Sequence, residues 1–137
     1  MDLGIAFDTA VARDPKAVAF IDGDIRKTFI EWQSDIRAVA SALSDRGLVR
    51  GDHMVTVMPN RYEMATLYWA AQMLGVIFTP FNWRATADEI SYVVLDAEAK
   101  LVAYDQASCV AVRQGASAAG IADTMLIDVD HAFSELI

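Results

Sequence analysis

Arg84 is the side chain whose neighbours best equip it for chemistry. It follows a β-rich apolar run, Val76–Pro80, through Phe81-Asn82-Trp83, and it precedes Thr86-Ala87-Asp88-Glu89, which reads as a helix start. That order puts Arg84 at the C-terminal end of a strand, just before a helix N-terminus. Ligands in open α/β sheets gather at that edge. A guanidinium there offers planar, paired donors suited to phosphate oxygens and keeps its charge at any working pH. The competing reading is an exposed Arg84 paired with Asp88 one helical turn on, worth only about 0.2–0.5 kcal/mol.

Other chemistry-bearing residues read more simply. His131 has Asp128 and Asp130 beside it, a grouping that could touch a metal, but one histidine and two acids at a helix start fit a solvated cap. His53 opens an apolar strand and reads as packed or half-exposed. The single cysteine, Cys109, excludes an internal disulfide and fits a reducing compartment, the cytoplasm. With nothing basic close beside it, Cys109 reads as a small buried side chain. Tyr62, Tyr68 and Trp69 share helical spacing and read as core. Asp96, Glu98 and Lys100 read as an exposed helix end. No Gly-rich or P-loop pattern occurs, so ATP chemistry finds no recognisable phosphate cradle in this chain.

Composition narrows the class. Eleven basic against nineteen acidic residues give a net charge of −8, the wrong sign for phosphate-backbone binding, so nucleic acid is not expected as a partner. Hydrophobic residues make up 55% of the 137. Counting the seven Gly in place of the four Tyr raises the share further, above a usual value of about 45–50%. Such a surplus suits a piece of a larger protein with an uncovered face, and self-association through exposed apolar surface is expected. Asp2, Asp8, Arg13 and Asp14 leave no room for a signal core at the start. Met64–Trp83 is free of charge but changes pattern at Gly75, so a buried helix and a buried strand explain it better than a membrane span.

The elements alternate. Residues 2–13 have helical spacing, and Ala17–Ile21 reads as a strand turning at Asp22-Gly23-Asp24 into a second one. Ile36, Val39, Ala40 and Leu43 stripe a helix closed by Gly47. Then come strand His53–Met58, helix 61–74, strand Val76–Pro80, a helix near 87–97 and strand Lys100–Tyr104. Beyond Asp105, Ala107–Arg113 reads as helical, Gln114–Gly120 as loose, Thr124–Ile127 as a strand and Asp130–Leu136 as a last helix. Three helix starts carry a capping residue three places before a glutamate: Thr28 with Glu31, Asn60 with Glu63, and Thr86 with Glu89. The pattern predicts one α/β domain over 1–137, three layers deep, with a mainly parallel sheet flanked by helices on both faces.

The segments Thr28-Phe29-Ile30-Glu31-Trp32, Gly47 to Asp52, Pro59-Asn60, Leu74-Gly75-Val76 and Pro80-Phe81-Asn82-Trp83-Arg84, in this order, resemble the start of the adenylate-forming enzymes. That superfamily comprises acyl-CoA synthetases, peptide-synthetase adenylation domains and beetle luciferases. The match runs over residues 15–105. Phe29, Trp32 and Trp83 depart from the usual Tyr, Leu and Pro, and the two tryptophans sit where packing or a ligand edge could differ. Asn82 followed by Arg84 is similar to the acyl-CoA synthetase branch rather than to the peptide synthetases, which tend to have Asp. The resemblance implies an N-terminal portion of a carboxylic acid–CoA ligase acting on a fatty or aryl acid. Such a ligase uses ATP with Mg²⁺ to form an acyl-adenylate, then passes the acyl group to CoA. It further implies that Arg84 contacts a CoA phosphate. The family's phosphate loop, nucleotide motifs and catalytic lysine lie later, so no catalytic residue, cofactor or metal site is expected here, and the chain alone is expected to be inactive. The alternative is a free-standing α/β binding or interaction module. The reading frame downstream of Ile137 separates the two.

Overall fold

A computed structural model describes residues 2–137. Helix α1 (Leu3–Arg13) is capped by Asp2, whose Oδ1 accepts from the Ile5 N–H at 3.2 Å. Strands β1 (Val18–Asp22) and β2 (Ile25–Thr28) form an antiparallel hairpin. Then follow α2 (Phe29–Asp45), β3 (His53–Val57), α3 (Tyr62–Leu74), β4 (Ile77–Phe81), α4 (Ala87–Asp96), β5 (Ala99–Tyr104), α5 (Cys109–Ala118), β6 (Leu126–Asp128) and α6 (Val129–Ala132). Short 3-10 turns stand at Asp123–Met125 and Phe133–Glu135.

The last four strands make one parallel sheet in the order β4-β3-β5-β6. β3 and β5 are central, and parallel strands covered on both faces must be apolar on both. Alternation divides their side chains. Met54, Leu101 and Ala103 enter one core with α1, α2, α3 and the hairpin. Val55, Val57, Val102 and Tyr104 enter a second core with α4 and α5. The expected three-layer α/β architecture is therefore present. Pro80 lies on the edge strand β4, where a missing N–H breaks no central ladder. Gly75 ends α3 at φ 71°, and a Cβ there would also come within 2.9 Å of the Arg50 side chain.

Two of the three expected capping boxes form. Thr28 and Thr86 accept from Glu31 N–H and Glu89 N–H, and each glutamate accepts the threonine's N–H at 2.8 Å. The third does not form. Helix α3 starts one residue late, at Tyr62 with Arg61 as its cap residue, so Glu63 falls at the second helical position rather than the third. The Tyr62 N–H instead donates to Asp22 Oδ2 at the end of β1, 2.8 Å away.

The stretch Gln114–Gly120 is not loose, because α5 runs through it to Ala118. Its small residues serve close packing. A Cβ on Gly115 would lie 2.4 Å from the Ala87 carbonyl oxygen and 3.0 Å from Ile90. The last expected helix is broken, α6 giving way to a 3-10 turn at Phe133. Among the described residues, no helix is long and apolar enough to cross a membrane.

Candidate functional site

The C-terminal ends of the parallel strands face one edge of the sheet and deliver Asn60-Arg61, Asn82-Trp83-Arg84, Asp105 and Asp128–Asp130 to it. β3 leaves through α3 to its neighbour β4, whereas β5 leaves through α5 to β6 on the other side. The connections diverge between β3 and β5, and crevices open at such switch points.

In this molecule that crevice is closed by Arg61. Its Nε lies 2.6 Å from Glu63 Oε2, and its Nη1 lies 3.3 Å from Asp105 Oδ2 and 2.8 Å from Asp130 Oδ1. The loops after β3, β5 and β6 thus share one guanidinium. The hydrogen bond to Glu63, then that to Asp130, holds Arg61 above its ordinary value against the opposing effect of burial. Asp130 is held below the usual carboxylate range, first by the Gln106 N–H at 2.8 Å and then by Arg61. With three carboxylates around it, Arg61 is a clasp whose single positive charge is already outweighed. Its role escaped the sequence reading because two of its partners lie 44 and 69 residues away.

Arg84 behaves differently. It stands exposed after β4 and before α4, at the position expected for it. Asn82 shapes the turn by accepting the Arg84 N–H through Oδ1 at 3.0 Å, while its carbonyl accepts the Ala85 N–H at 3.0 Å. Among the described residues no carboxylate pairs with the guanidinium, Asp88 included. Arg84 Cζ instead lies over the Trp83 ring, 4.0 Å from its centroid. The two departing tryptophans therefore divide their work. Trp32 is a packing residue whose Nε1 donates to Thr66 Oγ1 at 2.9 Å in the core, and Trp83 belongs to the sheet edge.

Beside this edge lies a cleft of about 400 Å³ with Phe20, Met64, Tyr68 and Phe78 among its walls. Among the described residues its only cation is Arg61, outweighed by three carboxylates, so the cleft does not suit a nucleotide phosphate. Among the described residues, no group of three or more His, Cys, Asp and Glu is arranged to hold a metal ion.

The remaining candidates fall into place. His131 is exposed, with Nδ1 2.9 Å from Asp128 Oδ2. His53 is half-buried. Cys109 is half-buried rather than buried, and Arg113 follows it one turn along α5. Tyr62 is core, with Tyr68 and Trp69 packed against Phe78 and Phe7. Asp35 accepts the Tyr62 hydroxyl and also takes Lys27 Nζ at 2.7 Å. Burial, then Asp35, pushes the Tyr62 phenol up.

The sequence profile of the family described as "AMP-binding enzyme" matches residues 7–135. The chain belongs to the AMP-binding enzymes. Among AMP-binding relatives, the long-chain-fatty-acid–CoA ligase FadD13 of Mycobacterium tuberculosis is 30% identical over 92 residues, 66% of this chain and 18% of the ligase. The 2-succinylbenzoate–CoA ligase of Bacillus licheniformis is 34% identical over 88 residues, 64% of this chain and 18% of that protein. A solved fatty acyl CoA synthetase of M. tuberculosis superposes with a TM-score of 0.89 at 25% identity, over 98% of this chain and 28% of its own. A structure of the N-terminal domain of FACL13 from the same organism gives 0.90 at 25% identity, over 99% of this chain and 36% of that one. The chain thus spans less than a fifth of each curated CoA ligase named, and its matches place it in their N-terminal portion.

Proposed function

We propose that this chain is the N-terminal portion of an ATP-dependent carboxylic acid–CoA ligase of the cytoplasm, and that Arg84 receives a phosphate of CoA in the thioester-forming step. The observation that carries the second part is an exposed guanidinium, unpaired with any carboxylate, at the C-terminal edge of the sheet. An anion arriving there meets a cation that no carboxylate has already satisfied. Arg61, ringed by three carboxylates that outweigh its charge, does not invite an anion in the same way. The CoA ligases among the relatives support the first part, as does the Asn82-to-Arg84 segment.

The chain's own residues would bind and orient CoA rather than make or break bonds. ATP, its Mg²⁺ and the acid would be held by later parts of the complete enzyme. In that enzyme, Arg84→Ala should raise the KM for CoA about ten- to a hundredfold, the loss of a charge-assisted contact worth roughly 1.5–3 kcal/mol. Pyrophosphate exchange without CoA, which reads adenylate formation alone, should barely change. Equal loss in both half-reactions, or in neither, would remove the CoA role. Incubated with ATP, Mg²⁺, CoA and a panel of acids, the 137-residue chain by itself should release no pyrophosphate above background. Robust acid-dependent release would overturn the assignment of the chemistry to later residues.

A further inference from the structure

We propose that Trp83 is a positioning residue for Arg84, holding its guanidinium ready for an incoming phosphate. The inference rests on the reading of Arg84 given above. An exposed arginine without a carboxylate partner ordinarily spreads over many rotamers, and capturing an anion then costs the entropy of choosing one. In Arg84 the turn fixes the backbone and the stack restrains the side chain. Its backbone N–H is tied to Asn82 Oδ1 at 3.0 Å, and its Cζ sits 4.0 Å from the Trp83 ring centroid. The indole is half-buried whereas Arg84 is exposed, so the ring is the fixed partner and the guanidinium the guest.

The chemistry of the stack suits the task. A π-face attracts the cation through the ring quadrupole and uses none of its hydrogen-bond donors. A carboxylate in the same place, such as Asp88, would consume those donors and cancel the charge. Stacking therefore orders Arg84 and leaves its N–H groups available for paired donation to phosphate oxygens. The contrast with Arg61 lies on the same sheet edge: there three carboxylates occupy the guanidinium, and it serves the fold.

The experiment compares Trp83→Phe, Trp83→Leu, Arg84→Ala and the Leu–Ala double variant in the complete ligase. Trp83→Leu should raise the KM for CoA about two- to fivefold, the population ratio that an exposed cation–π contact supports. Trp83→Phe, which keeps a π-face, should stay within about twofold of the parent on the same grounds. Pyrophosphate exchange should be unchanged in both, and the double variant should match Arg84→Ala alone. In the 137-residue chain, the Arg84 Hδ protons should show an upfield ring-current shift that Trp83→Leu abolishes. A normal KM for Trp83→Leu beside a raised one for Arg84→Ala would overturn the positioning role and leave Arg84 standing. Equal loss in both half-reactions with a lowered unfolding temperature would make Trp83 a packing residue. A normal KM for Arg84→Ala would remove both readings together.

Discussion

Asp22, the last residue of β1, accepts the backbone N–H of Tyr62 at 2.8 Å and so caps helix α3 from 40 residues away. The contact joins the hairpin to the helix that leads out of the central strand β3. It takes over the work expected of Asn60. Asp22→Ala should therefore cost about 1–2 kcal/mol, the upper range for a lost cap. Asn60→Ala, at an exposed residue, should stay within about 0.5 kcal/mol. Urea unfolding of the two variants checks the order, and an Asn60 variant as damaging as the Asp22 one would refute it.

Gly115 decides how closely α4 and α5 approach. A methyl group there would lie 2.4 Å from the Ala87 carbonyl oxygen, a backbone atom that cannot swing aside. Gly115→Ala should destabilise by about 1–3 kcal/mol through overpacking, despite alanine's better helix propensity. Ser117→Ala, on the exposed side of the same helix, should be neutral or slightly stabilising. Thermal unfolding of the pair separates packing from propensity.

Removing Arg61 should leave Glu63, Asp105 and Asp130 facing one another without a cation. Asp105 is the most enclosed of these, its side chain only 8% exposed. Arg61→Met should cost about 2–3 kcal/mol at neutral pH, below the full penalty for a buried pair because Arg61 itself is partly solvated. The pH dependence has a definite sign. Asp130 is held below its ordinary value in the folded protein, so its contribution is present above the unfolded aspartate pKa and is lost as pH falls through the folded one. The parent should weaken on acidification below about pH 4, the unfolded aspartate value, and the variant should weaken less. The gap between the two should thus narrow toward low pH, as measured by denaturant midpoints. A gap that widens would contradict the clasp.

Thr56 lies one residue from the end of β3, fully buried, and its hydroxyl oxygen has no hydrogen-bond partner among the described residues. Thr56→Val removes that group at nearly constant shape and should stabilise by about 1 kcal/mol. A destabilised variant would mean that the hydroxyl has a partner in solution.

Several apolar side chains stand in water along the hairpin and the edge strand, Ile21 at 61% exposure and Ile77 at 47%. We expect the chain to form dimers or larger species through such surface. Light scattering over a concentration series checks this. A clean monomer that binds no hydrophobic dye would count against it.

Much of the fold was legible in the sequence because its signals are local. Thr28 with Glu31 and Thr86 with Glu89 close their hydrogen bonds within three residues, so spacing alone marks both helix starts. The doubly apolar pattern of His53–Met58 likewise reports a parallel strand covered on both faces, because a one-sided strand would alternate. The position of Arg84 after a strand and before a helix was legible for the same reason. What the tertiary structure alone decided depends on residues far apart in the chain. Asp22 displaced Asn60 because folding brings the end of β1 to the start of α3, a meeting that no local pattern encodes. Gln114–Gly120 reads as loose by composition, yet its small residues are what allow α5 to lie against the Ala87 carbonyl. The two arginines of the sheet edge are alike as sequence, each following a strand. Glu63 and Trp83 are sequence neighbours of the two, but only the fold brings Asp105 and Asp130 to Arg61 and no carboxylate to Arg84, which divides them into a clasp and an open cation.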